Sequence, residues 1–135
     1  MQAKAVTVYA QWKKVTRTLS TSEKALIGNW SMVSTSGVIS YEFISDGTFS
    51  EIVLVKMSYS PDMSLFTKGL WYESGGTIYM TNRVSEESKD DGKTWSPLPS
   101  AAQTDTLKCS MRTDEYGKQY LETFNSVGEV RFYKS

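Results

Sequence analysis

The pair Arg131 and Tyr133, near the end of the chain, has the side-chain types and spacing to bind an anionic ligand. Residues two apart on a β-strand lie on the same face of the sheet. The planar fork of donors on arginine suits a carboxylate. Arg112 is a second candidate cation, on the polar side of the alternating run that contains Leu107, Cys109 and Met111. Arg131, Tyr133 and Arg112 are therefore the predicted ligand-binding residues.

A second motif, S-K-D-D-G-K-T-W, runs from Ser88 to Trp95. It resembles the Asp-box hairpin of sialidase propellers. The side chains of Ser88 and Asp90 would satisfy turn amides, and Gly92 would take a positive φ. One such box in 135 residues cannot make a propeller. We interpret the motif as a structural turn, with a carbohydrate-contacting loop as the alternative.

The residue types that most often carry catalysis or bind metals are scarce. The chain has no histidine and a single cysteine, Cys109, so the commonest general base and a Cys/His zinc site are excluded. Cys109 alternates with apolar residues and is predicted to be a packed thiol. The acids Glu42, Glu51 and Glu73 are scattered over different runs, and the sequence pairs no two of them. We predict no enzyme, with no catalytic residue, no metal and no cofactor.

Apolar and polar residues alternate with a period of two along most of the chain. Residues 37–45 read G-V-I-S-Y-E-F-I-S, and Asp46-Gly47 then forms a typical hairpin turn. Glu51 interrupts the apolar face of the next run. Counting the strand that starts at Trp30, about eight short strands linked mostly as hairpins are predicted. We expect an all-β fold with a single antiparallel up-and-down barrel, since closure removes exposed sheet edges.

Three short segments resemble the calycin group of lipocalins and fatty-acid-binding proteins. Residues 26–30 read L-I-G-N-W and look like the G-x-W motif of the first barrel strand. Residues 43–49, F-I-S-D-G-T-F, are similar to a hairpin of small bacterial lipocalin-like domains. Residues 130–134, V-R-F-Y-K, are similar to the R-x-Y-x-K end of fatty-acid-binding proteins. The resemblance covers about residues 22–135 and implies a lipocalin-like barrel domain there.

The resemblance assigns roles to individual residues. In the calycin group the tryptophan of G-x-W closes the barrel floor beneath a basic residue, so Gly28 and Trp30 are expected to be barrel-closing residues. Arg131 or Arg112 is then the expected cation over the Trp30 ring. In fatty-acid-binding proteins the Arg-x-Tyr pair instead holds the ligand carboxylate, which makes Arg131 and Tyr133 a ligand site. Both roles of Arg131 stay open at this point.

Residues 1–21 precede the predicted barrel domain as a basic arm or an extra strand. They carry Lys4, Lys13, Lys14 and Arg17, and the first acid is Glu23. The density of Val and Thr favours a strand, although apolar residues also recur at helical spacing.

Charge and hydropathy limit the classes of partner and the cellular locations that the sequence predicts. The 15 basic and 15 acidic residues balance, which is unlike a duplex-DNA binder, so no nucleic acid is predicted. No apolar run approaches the roughly 20 residues of a membrane helix, and the first residues do not read as a secretory signal. A cytoplasmic location is the default expectation, and an extracytoplasmic one applies if a signal peptide was removed.

Two functions are consistent with these features of the sequence. The leading one is a non-catalytic binding protein with a small lipophilic ligand inside the barrel, an acidic ligand being one option. The alternative is a protein–protein interaction module that uses its loops or the N-terminal arm, because a small barrel can also be filled by its own side chains. The aromatic residues expected inside are Tyr41, Phe43, Phe49, Trp71, Tyr79, Tyr120 and Phe132.

Overall fold

The computed structural model describes residues 18–59, 61–99 and 102–135. Most of the predicted N-terminal arm lies outside these residues, so its character stays a prediction. Within the described part the all-β prediction is confirmed, with one short helix and ten strands. The elements are α1 (Thr21–Leu26), β1 (Gly28–Ser34), β2 (Gly37–Phe43), β3 (Thr48–Val55), β4 (Met63–Ser74), β5 (Thr77–Ser88), β6 (Ser96–Pro97), β7 (Asp105–Lys108), β8 (Ser110–Thr113), β9 (Gln119–Asn125) and β10 (Gly128–Lys134). In the described part no helix is long and apolar enough to cross a bilayer.

The ten strands form one antiparallel sheet in the order β6-β5-β4-β3-β2-β1-β10-β9-β8, with β7 paired to β5. This open order means that the predicted closed barrel of about eight strands is wrong. The long loop after β5 adds β6 as an edge strand. The run predicted as one strand is divided at Cys109 into β7, which pairs with β5, and β8, which pairs with β9. The sheet therefore curls until its two sides meet at this chain segment, where the ladder is interrupted.

The interruption at Cys109 follows from the end of strand β5. Thr77, the first residue of β5, is already paired with Lys108. The Cys109 N–H donates instead to the Gly76 carbonyl, at 3.0 Å, in the turn between β4 and β5. Since β5 offers no further residue, the chain continues as β8 along β9.

Helix α1 covers one end of the curled sheet. Ser20 and Glu23 form a reciprocal capping box, in which each side chain accepts from the other residue's backbone N–H. Glu23 also accepts from the Glu73 N–H at 2.8 Å, which ties the helix to β4. The Trp30 indole N–H donates to the Leu26 carbonyl at 2.8 Å. These contacts fix the short helix, which would be unstable alone.

The inner face of the sheet carries the hydrophobic core. Aromatic rings pack there at short distances, with Phe43 and Trp71 centroids 5.0 Å apart and Tyr41 and Phe132 centroids 5.4 Å apart. Five of the seven aromatic residues expected inside belong to this core, but Tyr79 and Tyr120 do not. Their strands place them on the opposite face. The buried core consists of Leu26, Trp30, Tyr41, Phe43, Phe49, Trp71, Ile78, Met80, Leu121 and Phe132.

A β-bulge between β4 and β5 changes which side chains of β5 face inward. The register shifts between Lys68 and Leu70, where Asn82 adopts a φ of 51°. Gly69 is required at this point, because a Cβ there would lie 2.5 Å from the Thr81 carbonyl oxygen. Before the bulge Met80 faces the core, and after it Arg83 does. Strict alternation would have directed Arg83 outward.

Candidate functional site

A row of polar side chains crosses the inner face beside the aromatic core. Tyr41 is paired with Glu51, Glu51 with Thr67, and Thr67 with Ser85 on four successive strands. All four residues are buried. The Thr67 and Ser85 hydroxyls are hydrogen-bonded at 2.7 Å. Cross-strand partners share a face, so the four residues form a strip of hydrogen-bonding side chains across the inner face.

Arg83 and Glu51 form a buried ion pair at the centre of this row. The guanidinium Nη2 donates to Glu51 Oε1 at 3.0 Å, and each side chain is only 9% exposed. Burial raises the pKa of the Glu51 carboxyl, against the opposing effect of the Arg83 hydrogen bond and charge. Burial, and then the negative charge of Glu51, raise the pKa of Tyr41 as well. Tyr41 is therefore a neutral phenol at physiological pH.

The remaining donors of the Arg83 guanidinium are unequally satisfied. Nη1 donates to the Ala102 carbonyl at 3.0 Å. Nε is buried and has no acceptor among the described residues. An unmet buried donor costs roughly 1–3 kcal/mol, and more when it is charged. Nε is thus an unused donor within the polar row, and an acceptor placed there would lower its energy.

An apolar row lies beside the polar row. Met32, Ile39, Val53 and Leu65 are successive cross-strand partners on β1 to β4. Each lies two residues along its strand from a member of the row that contains Trp30, Tyr41, Glu51 and Thr67, and so on the same face. All four are half-buried. The inner wall therefore offers an accessible apolar strip next to a buried hydrogen-bonding strip, which suits a small molecule with one polar end.

The structure brings the predicted pair Arg131 and Tyr133 together, on the outer face of the sheet. Phe132 between them is in the core, so its neighbours point away from it. The Arg131 Nε donates to Glu129 at 2.7 Å, and its Nη1 donates to the Tyr133 hydroxyl at 3.3 Å. The guanidinium lies 4.4 Å from the Tyr120 ring centroid. Arg131 is thus paired and does not reach the inner wall.

Arg112 also lies on this outer face, opposite Tyr120. Its Nε donates to Glu122 at 2.8 Å, and its side chain is 56% exposed. The hydrogen bond and charge of Glu122 raise the pKa of Arg112, as Glu129 does for Arg131. Two arginines therefore flank a tyrosine on the outer face, each with its own carboxylate partner.

The cation above Trp30 is Lys134, rather than Arg131 or Arg112 as the resemblance implied. The Lys134 Nζ lies 5.4 Å from the Trp30 ring centroid, because the two residues are direct partners between β1 and β10. Trp30 is fully buried. Gly28 leaves room for the same lysine, since a Cβ there would lie 3.2 Å from Lys134 Cε. Both G-x-W residues thus contribute to this end of the sheet, with a different cation.

The Asp-box segment forms the predicted structural turn. The Ser88 hydroxyl accepts from the Gly92 N–H at 2.8 Å and donates to Asp90 at 2.8 Å. Asp90 in turn accepts from the Thr94 N–H at 2.9 Å and from its hydroxyl. The Trp95 indole donates back to the Gly92 carbonyl. These hydrogen bonds lower the pKa of Asp90 to about 2.

We expect Asp90→Ala to loosen this turn without affecting ligand binding. The variant loses both acceptors for Thr94, so hydrogen exchange at the Thr94 amide should accelerate, while the thermal midpoint moves by only a few degrees. Lys93→Ala is the control, because that side chain is exposed in the same loop. Unchanged exchange in Asp90→Ala, or loss of sugar binding with an unaltered melting curve, would contradict the structural role.

Arg83 is the residue that sequence reasoning missed. The one sign of a buried cation in the sequence was Glu51, an acid on the predicted apolar face of the 48–57 run. A buried acid requires a partner, but nothing in the linear pattern shows which cation supplies it. No cluster of three or more His, Cys, Asp or Glu suited to a metal occurs among the described residues.

Comparison with known proteins assigns no family or function to this chain. The resemblance to lipocalin-like domains, drawn from three short segments, therefore stays a prediction. No protein-family model matches the chain, and neither a curated protein nor a solved structure matches it.

Proposed function

We propose that this protein is a non-catalytic binding protein for a small lipophilic ligand that lies on the inner wall of the curled sheet. The observation that carries the proposal is the half-buried row Met32, Ile39, Val53 and Leu65 beside the buried polar row. Covering apolar surface contributes about 25 cal/mol per Å². A ligand tail against this row would gain that energy, and its polar end would meet the hydrogen-bonding strip.

The polar groups of the site favour binding over catalysis. The Glu51 carboxylate is already paired with Arg83, and the raised pKa of Tyr41 keeps its phenol protonated. Burial raises the pKa of the Cys109 thiol to about 11, so it is not a thiolate at neutral pH. These groups are suited to orient a ligand.

The test is a calorimetric titration with a lipophilic compound of medium chain length, such as 2-decanone, on the parent protein and on two matched variants. Ile39→Ser removes an inner-wall side chain, and Ile52→Ser removes the same side chain type from the outer face of the neighbouring strand. Because Ile39→Ser loses one apolar contact with the ligand, this variant should bind the ligand roughly tenfold more weakly than the parent. That change corresponds to about 1.4 kcal/mol of binding free energy. Ile52→Ser should bind as the parent does.

Two results would overturn this proposal. One is a parent protein that binds no lipophilic compound, and the other is equal weakening by the two variants. In the first case the alternative, a protein interaction module, takes precedence. It is favoured by an outer cleft of about 360 Å³ that Ile52, Leu54, Phe66 and Trp95 line together with polar neighbours, since exposed apolar patches often mark interaction sites.

A further inference from the structure

We infer that the ligand's polar end is a neutral carbonyl, as in a ketone, ester or amide, which accepts a hydrogen bond from Arg83 Nε. This inference rests on the proposed lipophilic-ligand function and specifies its chemical class. It replaces the carboxylate that the Arg131–Tyr133 pair had suggested.

The first argument is the unused donor. The Arg83 side chain is 9% exposed, and two of its three nitrogens donate to Glu51 and to the Ala102 carbonyl. The third, Nε, is buried without an acceptor among the residues that the structure describes. Nε presents a single N–H, which matches a single carbonyl oxygen. A bidentate carboxylate needs two parallel donors, and each terminal nitrogen already donates one of its two N–H groups, so Nε is the one nitrogen of the guanidinium with no hydrogen bond among the described residues.

The second argument is the charge around Arg83. Glu51 on β3 already neutralises the guanidinium. Asp105 on β7 is the partner of the inward-facing Met80, and Glu87 on β5 is the partner of Leu65, so both acids share the inner face. Lys89 approaches Glu87 at 3.7 Å, but it is 70% exposed and solvated.

Among the described residues, Lys134 is a further inner-face cation, and it is distant from the Arg83–Glu51 pair. Lys134 lies over Trp30, three strands away from Glu51 along the polar row. At about 4.8 Å per strand this separation is roughly 14 Å, beyond the Debye length of about 8–10 Å. A ligand carboxylate would therefore add a negative charge beside Arg83, where the acids Glu51, Asp105 and Glu87 already outnumber the cations. A neutral carbonyl uses the free N–H without this repulsion.

The experiment compares 2-decanone with decanoate at pH 7.4 by calorimetric titration, with 1-decene as the analogue that lacks an oxygen. The parent protein should bind 2-decanone roughly tenfold or more tightly than either of the other compounds. Arg83→Lys keeps the positive charge opposite Glu51 and removes Nε. Its affinity for 2-decanone should fall to that for 1-decene. Arg131→Lys, the same change on the outer face, should bind as the parent does.

The outcomes separate the inference from the proposed function. Binding of none of the three compounds overturns the proposed function. Decanoate binding as tight as 2-decanone binding, or unchanged 2-decanone affinity in Arg83→Lys, overturns the inference alone. If Arg83→Lys does not fold, the double variant Arg83→Met/Glu51→Leu replaces the pair by apolar side chains. It should bind 2-decanone and 1-decene equally, and a retained preference for the ketone overturns the inference.

Discussion

Replacing Trp30 with alanine is expected to lower the free energy of unfolding by about 3–5 kcal/mol. The indole is fully buried, it donates a hydrogen bond to the Leu26 carbonyl, and it lies beneath Lys134. Truncation leaves a large cavity and frees the end of helix α1 at once. Urea denaturation followed by circular dichroism measures the change, read as the shift of the midpoint at constant slope.

Trp95→Ala is the matched control for Trp30→Ala. Trp95 is 42% exposed on the Asp-box loop, and its loss should cost less than about 1 kcal/mol. A loss below about 1 kcal/mol for Trp30→Ala would show that Trp30 does not hold the helix and the sheet end together.

Replacing Arg83 with methionine is expected to cost about 3–5 kcal/mol of unfolding free energy, because it leaves Glu51 buried without its cation. The double variant Arg83→Met/Glu51→Leu removes both charges and should recover stability to within about 1 kcal/mol of the parent. Arg131→Met is the control, since its ion pair lies on the exposed outer face, and its midpoint should barely move. A double variant no more stable than Arg83→Met would contradict the account of the ion pair.

The destabilisation by Arg83→Met should also depend on pH. Glu51 already has a folded-state pKa above its ordinary value of 4.5, and losing the favourable effects of Arg83 raises it further. An acid with a raised folded-state pKa weakens the fold where it is ionised, and this penalty disappears as the pH falls and the carboxyl is protonated. The difference between variant and parent should therefore be largest at neutral pH and shrink on acidification. A difference that is constant from pH 7 to pH 5 would exclude Glu51 as its cause.

The period-two alternation was sufficient to predict most of the strands, because half-buried strands alternate apolar and polar residues, but it missed β6 and the division at Cys109. The hairpin at Asp46-Gly47 and the strand that begins near Trp30 are present as expected. Burial of Trp30 and Phe132 could also be predicted, since both lie on apolar faces of their runs. These features depend on local composition and short-range geometry, which a linear sequence contains.

The position of Arg83 depended on the tertiary structure. Alternation carried forward from Met80 directs Arg83 outward, and the bulge at Gly69 and Asn82 reverses this. A bulge depends on the pairing of two strands and on a close backbone approach at Gly69. A local sequence pattern contains neither the β4–β5 register nor the close backbone approach at Gly69. The partner of Glu51 could therefore not be identified from the sequence.

The same limit explains the other two corrections. Lys134 lies over Trp30 because of the β1–β10 register, which the R-x-Y-x-K pattern does not specify. The open strand order follows from the division at Cys109, where β5 has ended and the chain pairs with β9 instead. The sequence by itself determined most of the strand segments and their apolar faces, because side-chain alternation is local. The tertiary structure alone decided which strands meet, in which register and around which buried charge, because those choices depend on contacts between residues far apart in the chain.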